Sequence, residues 1–364
     1  MGLTAGIVGL PNVGKSTLFN AITKNKILIA NYPFATIEPN VGIVTVPDKR
    51  LKVLNEMYNP KRLIETTFEF TDIAGLVQGA SKGEGLGNKF LSHIREVDAI
   101  LEVVRCNDSN IVHVCGNADP IRDIEIINIE LTLADLDIVQ NRISKIEKKA
   151  QTTKDKDTLQ ELAVLNVIND ALTNDIPVRR LKFTKEEEKI IKSFNLLTNK
   201  PIIYLANIEE DDIGKENEYT KIVKEYALKD NADVIEMCAK IESEISELED
   251  DEKELFLQEL GIKESGLDSL VKSTYHLLGL QTFFTVGSDE VKAWTFKKGM
   301  KAPACAGIIH SDFERGFIKA EVMSYDDLVS YGSETKVKEN GKMRLEGKEY
   351  EMQDGDICHF RFNV

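Results

Sequence analysis

Residues Gly9 to Thr17 read GLPNVGKST, behind the apolar run Leu3 to Val8 and ahead of Leu18, Phe19, Ala21 and Ile22, which recur at helical spacing. The pattern predicts strand, glycine loop, helix. A chain of phosphates needs many inward-pointing N–H donors with no Cβ in the way. Gly9 and Gly14 therefore bracket a loop whose amides, through Asn12, Val13, Gly14 and on to Thr17, wrap a β-phosphate at a helix N-terminus. Lys15 then reaches the β- and γ-phosphates, and the Ser16 hydroxyl ligates Mg²⁺.

The remaining ligands are sought further along, because Mg²⁺ and a γ-phosphate need oxygen and backbone groups from later strands. Thr67 to Thr71 (TFEFT) alternates like a strand and ends at Asp72-Ile73-Ala74-Gly75. There Asp72 is expected to hold Mg²⁺ through a water and Gly75 to offer its N–H to the γ-phosphate. Between the two motifs, Asn31 to Gly42 (NYPFATIEPNVG) is a polar, proline-broken loop suited to a switch. Thr36, its only Thr, is the candidate to close over Mg²⁺; the alternative is an exposed loop hydroxyl. From Ile73 to Asn88 the chain carries Gly75, Gly79, Gly83, Gly85 and Gly87, a density that regular elements do not tolerate. This reads as a second switch ahead of a helix from Lys89 to Glu96.

A chain of 364 residues exceeds one compact core and suggests two or three domains. No run of 18 apolar residues occurs and the chain enters its first strand almost at once, so neither a membrane span nor a signal peptide is expected. Cys106, Cys115, Cys238, Cys305 and Cys358 are odd in number and lack CxxC spacing, which argues for free thiols in a reducing, cytoplasmic setting. A formal net charge of −15 disfavours indiscriminate nucleic-acid binding, and no DNA partner is expected. The sign reverses locally between Arg142 and Lys156, where Arg142, Lys145, Lys148, Lys149, Lys154 and Lys156 outnumber Glu147 and Asp155.

Ala99 to Val104 is near-continuously apolar, as a strand in a parallel sheet covered on both faces would be. From Arg122 to about Asp175 there is neither proline nor glycine, and apolar residues fall at Ile124, Ile127, Leu131, Ala134 and Ile138. After a one-residue slip the pattern resumes at Val139, Ile143, Ile146 and Ala150, and a second run follows the polar break at Gln151 to Asp157. Two antiparallel helices forming a projecting coiled-coil arm, with the basic cluster at its tip, account for this; the alternative is a helix pair lying flat on the main domain. Strands return at Pro201 to Ala206, ending at Asn207, and at Ala232 to Met237, ending at Cys238-Ala239-Lys240. The arm is thus an insertion in one nucleotide-binding sheet. Helices are expected at about Glu242 to Glu249, Asp251 to Leu260 and Leu267 to Leu278. Beyond Leu280 come short strands, at Gln281 to Val286, Gly307 to Ile309, Gly316 to Val322 and Ile357 to Phe362, with a short helix at Tyr325 to Val329. The expected fold is α/β, a P-loop NTPase with a mostly parallel sheet and helices on both faces, plus a small α+β domain. Residues 1–121 and 198–280 form the nucleotide-binding domain, 122–197 the arm, and 281–364 the last domain.

With GLPNVGKS, NYPFATIEPNVG, DIAGL, the glycine-rich second switch, the inserted helices and this C-terminal segment, the chain resembles the Obg-like ATPases of the YchF family over essentially its whole length. The resemblance implies a GTPase-class P-loop domain, a coiled-coil arm and a β-grasp TGS domain. It implies slow hydrolysis of ATP, preferred over GTP, to ADP and phosphate. It also implies association with the ribosome, at the large subunit or its RNA, through the arm or the TGS domain, in translation or stress regulation. Lys292, Lys297, Lys298 and Lys301 at the start of that domain are further candidates for RNA phosphates. A GTPase would place Asn-Lys-x-Asp after the strand ending at Asn207, its Asp accepting two hydrogen bonds from guanine. Here the residues are Asn207-Ile208-Glu209-Glu210, and Glu210 is one methylene too long for that grip. Adenine is then read by the Asn207 amide and backbone near Ile208, with Glu210, Cys238 and Ala239 beside it. Leu76 stands where Ras-like enzymes carry a water-orienting Gln, so turnover depends on Mg²⁺, Thr36, a monovalent cation or groups in trans. Asn12 matches a K⁺-binding position of potassium-dependent GTPases; the alternative is that it only shapes the loop. Two other readings stay open, an Obg-type GTPase and a nucleotide-gated RNA- or ribosome-binding scaffold with incidental hydrolysis.

Overall fold

The computed structural model describes residues 3–24, 40–74, 86–107, 118–153 and 155–363. Thr36, Gly75, Leu76 and Cys115 lie outside them. In chain order the strands are β1 (Thr4–Val8), β2 (Val41–Thr45), β3 (Arg62–Ile64), β4 (Thr67–Asp72), β5 (Ala99–Arg105), β6 (Ile202–Asn207) and β7 (Asp233–Met237). They continue with β8 (Leu280–Thr285), β9 (Glu290–Lys297), β10 (Phe317–Ser324), β11 (Arg344–Glu346) and β12 (Asp356–Phe362).

The chain divides into two compact units, residues 1–44 with 69–270 and residues 45–68 with 271–364. The expected division kept residues 45–68 inside the nucleotide-binding domain; the compact units group them with the C-terminal residues.

In the first unit the strands run in the order β2-β4-β1-β5-β6-β7, and β1 pairs in parallel with both β4 and β5. β5 is buried at every residue and β6 at all but its last, as a sheet covered on both faces requires. Parallel strands need connections that cross the sheet, and α1 (Lys15–Lys24), α3 (Leu86–Glu96) and α7 (Glu218–Asp230) lie in such connections, while α8 (Ala239–Ile245) follows β7. α3 starts three residues before the expected helix, so that Gly87 is helical. α2 (Lys49–Tyr58) belongs to the other unit.

The insertion is a helical hairpin, α4 (Pro120–Thr153) and α5 (Lys156–Thr173), and Asp155 caps α5 by accepting from the Thr158 N–H. The apolar seam of the sequence is the packed face: Val139 and Ile146 of α4 bury against Val164, Leu165, Ile168 and Leu172 of α5. A third helix, α6 (Lys185–Lys192), adds Ile191 to the same core. At the base Asp135 of α4 is wholly buried. Its carboxylate accepts from Leu197 N (2.9 Å), Thr198 N (2.7 Å) and the Thr198 hydroxyl (2.7 Å), where the chain returns to β6. α9 (Asp250–Glu259) and α10 (Gly266–Leu277) follow β7 and α8.

The second unit is built on a sheet in the order β11-β10-β12-β8-β9-β3. β12 and β8 pair in parallel, and β10–β12 and β8–β9 are antiparallel. The stretch from Gly307 to Ile309, expected as a strand, is the end of a helix, α11 (Ala302–Ile309). Its proline near the N-terminus and its Ala-rich first turns favour helix over strand, and Ala302, Cys305 and Ala306 are its buried residues, with Gly307 to Ile309 closing the helix. α12 (Ser311–Arg315), α13 (Tyr325–Tyr331) and α14 (Glu334–Glu339) complete the unit. Leu51 and Leu54 of α2 lie in one core with Phe284, Val291, Met323 and Ile357, and β3 pairs in parallel with β9.

Candidate functional site

The loop after β1 has the backbone its sequence demands. Gly14 sits at φ +99°, and a Cβ there would lie 2.2 Å from the Asn207 side-chain nitrogen. Asn12 is also left-handed, at φ 65°, a conformation Asn tolerates better than other side chains. α1 opens with Lys15, and Leu18 N donates to Gly14 O (3.0 Å), which leaves the first-turn amides at the positive end of a ten-residue helix. Ser16 and Thr17 are exposed on that turn.

β4 lies beside β1, Ile7 opposite Asp72, so the second motif's carboxylate reaches the first motif's lysine. The Lys15 ammonium donates to Asp72 Oδ1 in a mostly buried ion pair. Two residues 57 positions apart, singled out separately by their motifs, meet at one point. Asp72 offers carboxylate oxygen and Ser16 hydroxyl oxygen, a hard donor set that fits Mg²⁺.

On the other side of the loop, Asn207 at the end of β6 uses both ends of its amide. Nδ2 donates to Val13 O (2.9 Å), and Oδ1 accepts from Ala239 N (3.0 Å). The residue thereby ties the phosphate loop to the turn after β7. These groups surround a cavity of about 250 Å³ lined by Asn12, Val13, Gly14, Thr17, Asn207, Ile208, Cys238 and Ala239, all expected from sequence. Cys238 is a buried free thiol, pushed upward in pKa by that burial. Glu210 is not among the lining residues; it is half exposed and pairs with Lys240 at 3.3 Å.

The cavity also takes in Arg105, Asn107, Glu209 and Lys240, none of which sequence reasoning had singled out. A signal existed for the first two. The apolar run of β5 breaks into Arg105 and Asn107 at the carboxyl ends of the strands, where ligands of open α/β sheets bind.

A family model described as "50S ribosome-binding GTPase" matches residues 4–142, and the YchF-GTPase C-terminal model, described as "Protein of unknown function (DUF933)", matches residues 280–363. The chain is 62% identical to the ribosome-binding ATPase YchF of Bacillus subtilis and 52% identical to that of Escherichia coli O157:H7, over 100% of both chains in each case. The solved structure of the Schizosaccharomyces pombe YchF GTPase superposes with a TM-score of 0.90 at 42% identity, covering 99% of this chain and 97% of that one.

Proposed function

The chain belongs to the YchF family, and from that premise we propose that it is a ribosome-associated, nucleotide-dependent switch that binds ATP and slowly hydrolyses it to ADP and phosphate. The Lys15–Asp72 pair carries this reading. It sets a cation and a carboxylate at the foot of a phosphate loop, each compensating the other until a ligand of opposite polarity separates them. An arriving triphosphate competes with Asp72 for the Lys15 ammonium, while the amides after Gly14 face the β-phosphate. Ser16, and Asp72 through a water, would hold Mg²⁺, and the ion would supply charge neutralisation at the phosphates. Thr36 and Gly75 are assigned the closing contacts.

Base choice follows from Asn207 and Glu210. With Oδ1 and one N–H of Asn207 engaged, one N–H remains for a base, and a purine N7 accepts it in adenine and guanine alike. Guanine's N1–H and 2-amino group need a carboxylate, and Glu210, a methylene longer than Asp, lies outside the cavity lining and pairs with Lys240 at its edge. ATP is therefore expected to bind more tightly than GTP by at least roughly tenfold, since a lost buried hydrogen-bonding partner commonly costs that much. Competition of ATP and GTP against a labelled nucleotide tests this; equal affinities would return the chain to the GTPase reading.

For the ribosome we assign the arm tip. Lys145, Lys148 and Lys149 are exposed on α4. In the second unit Lys297, Lys298 and Lys301 are exposed, Lys301 pairing with Glu349, while Lys292 lies over the Trp294 ring at 3.7 Å.

A further inference from the structure

Beside the cavity a short run of hydrogen bonds leads to Asn207 from the end of β5. Arg105 and Asn107 are nearly buried, at 4% and 7% exposure. Arg105 Nε donates to both Asn107 Oδ1 (3.1 Å) and Asn107 O (3.3 Å). Asn107 Nδ2 in turn donates to the Asn207 carbonyl (3.0 Å), which also accepts from Cys106 N (2.9 Å). Asn217, the cap of α7, pins the segment from behind by donating to Cys106 O (3.2 Å) and Asp212 Oδ2 (2.8 Å).

We propose that Asn107, oriented by Arg105, is a positioning residue for the base-reading Asn207, and so sets how tightly the adenine end of ATP is held. This role rests on the ATP reading above and adds to it a residue that works through another. Asn207 makes its two side-chain bonds, to Val13 and Ala239, from a backbone whose carbonyl is gripped twice. An amide that must bridge two loops and still aim one N–H at a base has little angular freedom to lose. Arg105 makes Asn107 a donor toward Asn207: with its side-chain oxygen held by the guanidinium, the nitrogen faces the carbonyl. A carboxylate at position 107 would keep the bond from Arg105 but set an oxygen against the Asn207 carbonyl oxygen.

The test uses the full-length protein and calorimetric titration with two probes, ATP and inorganic tripolyphosphate, which has the phosphates and no base. Asn107→Asp, nearly the same shape, and Arg105→Gln should each weaken ATP binding roughly three- to tenfold, the value of one net hydrogen bond. Tripolyphosphate affinity should stay within twofold of the wild type, because the phosphates are met at Gly14 to Thr17. A variant that merely damages the fold lowers both affinities together, and that result overturns the proposal. So does ATP binding in Asn107→Asp indistinguishable from wild type. Wild-type protein that holds ATP no more tightly than tripolyphosphate would remove the base cavity itself, a different failure, and the proposal with it.

Discussion

Glu102 occupies the middle of β5, 1% exposed, and among the described residues its Oε2 takes no hydrogen bond. Burial raises its pKa well above the ordinary 4.5; Arg179 pulls the other way, and Asp230 and Asp123 add to the rise. Asp230 meets the opposite fate. Burial would raise it, but Arg179, Tyr204 and Arg180 hold its carboxylate low, with Arg179 Nε at 3.1 Å and the Tyr204 hydroxyl at 2.6 Å. One buried carboxyl is thus pushed toward its neutral form and the other toward its charged form. The sign for Glu102 follows: the folded chain binds the proton more tightly than the unfolded one, so above pH 4.5 the fold loses stability until the raised pKa is passed. Glu102→Gln should therefore melt higher than wild type at pH 7.5, with the gap narrowing as pH falls toward 4.5. A gap independent of pH would contradict a neutral Glu102.

At the scale of elements, one buried carboxylate, Asp135, ties the arm's base to the chain leading into β6. Asp135→Ala strips the acceptor from two backbone N–H groups at Leu197 and Thr198, and each orphaned donor costs about 1–3 kcal/mol. A loss of about 2–4 kcal/mol is expected, read as a lower urea midpoint, with new protease sensitivity near Thr198. The tip makes a separate prediction. Lys145, Lys148 and Lys149 changed together to Glu should weaken ribosome co-sedimentation and flatten its fall with salt, since fewer counterions are released. Unchanged co-sedimentation across a salt series would move the contact to Lys297 and Lys298. What sequence disclosed at this scale was whatever has local cause. Phosphate loop, Asp72 strand end and helical seam are each written in one contiguous stretch. Arg105 and Asn107 were passed over because their importance lies in a carbonyl 100 residues away. The end of α11 is ambiguous in sequence for a related reason: a short apolar run looks alike in a strand and in the last turn of a helix.

For the whole molecule, charge is unevenly shared. The basic and acidic residues of 45–68 and 271–364 nearly balance, so the acidic excess belongs to the unit that holds the phosphate loop, with the arm tip as its basic exception. Long-range assembly was least legible. Nothing near Lys49 to Ile64 tells that Leu51 and Leu54 pack against Phe284 and Ile357, or that Thr66 shares a 2.6 Å hydrogen bond with Thr295. A chain ending at residue 280 would keep α2 and lose the core it fills. It should be cleaved by protease within 45–68 where the full-length protein resists; equal resistance would mean that the segment has another seat.

The same arrangement sets a timetable for synthesis. Residues 45–68 leave the translating machinery about 200 residues before the C-terminal stretch that completes their unit. At about 5–20 residues per second, that is a wait of tens of seconds. Through it Leu51 and Leu54 have no native core to enter, and β3 no neighbour in β9. The nascent chain therefore carries an unpaired apolar segment through most of its own production, a stretch for a chaperone to hold until the last strand arrives.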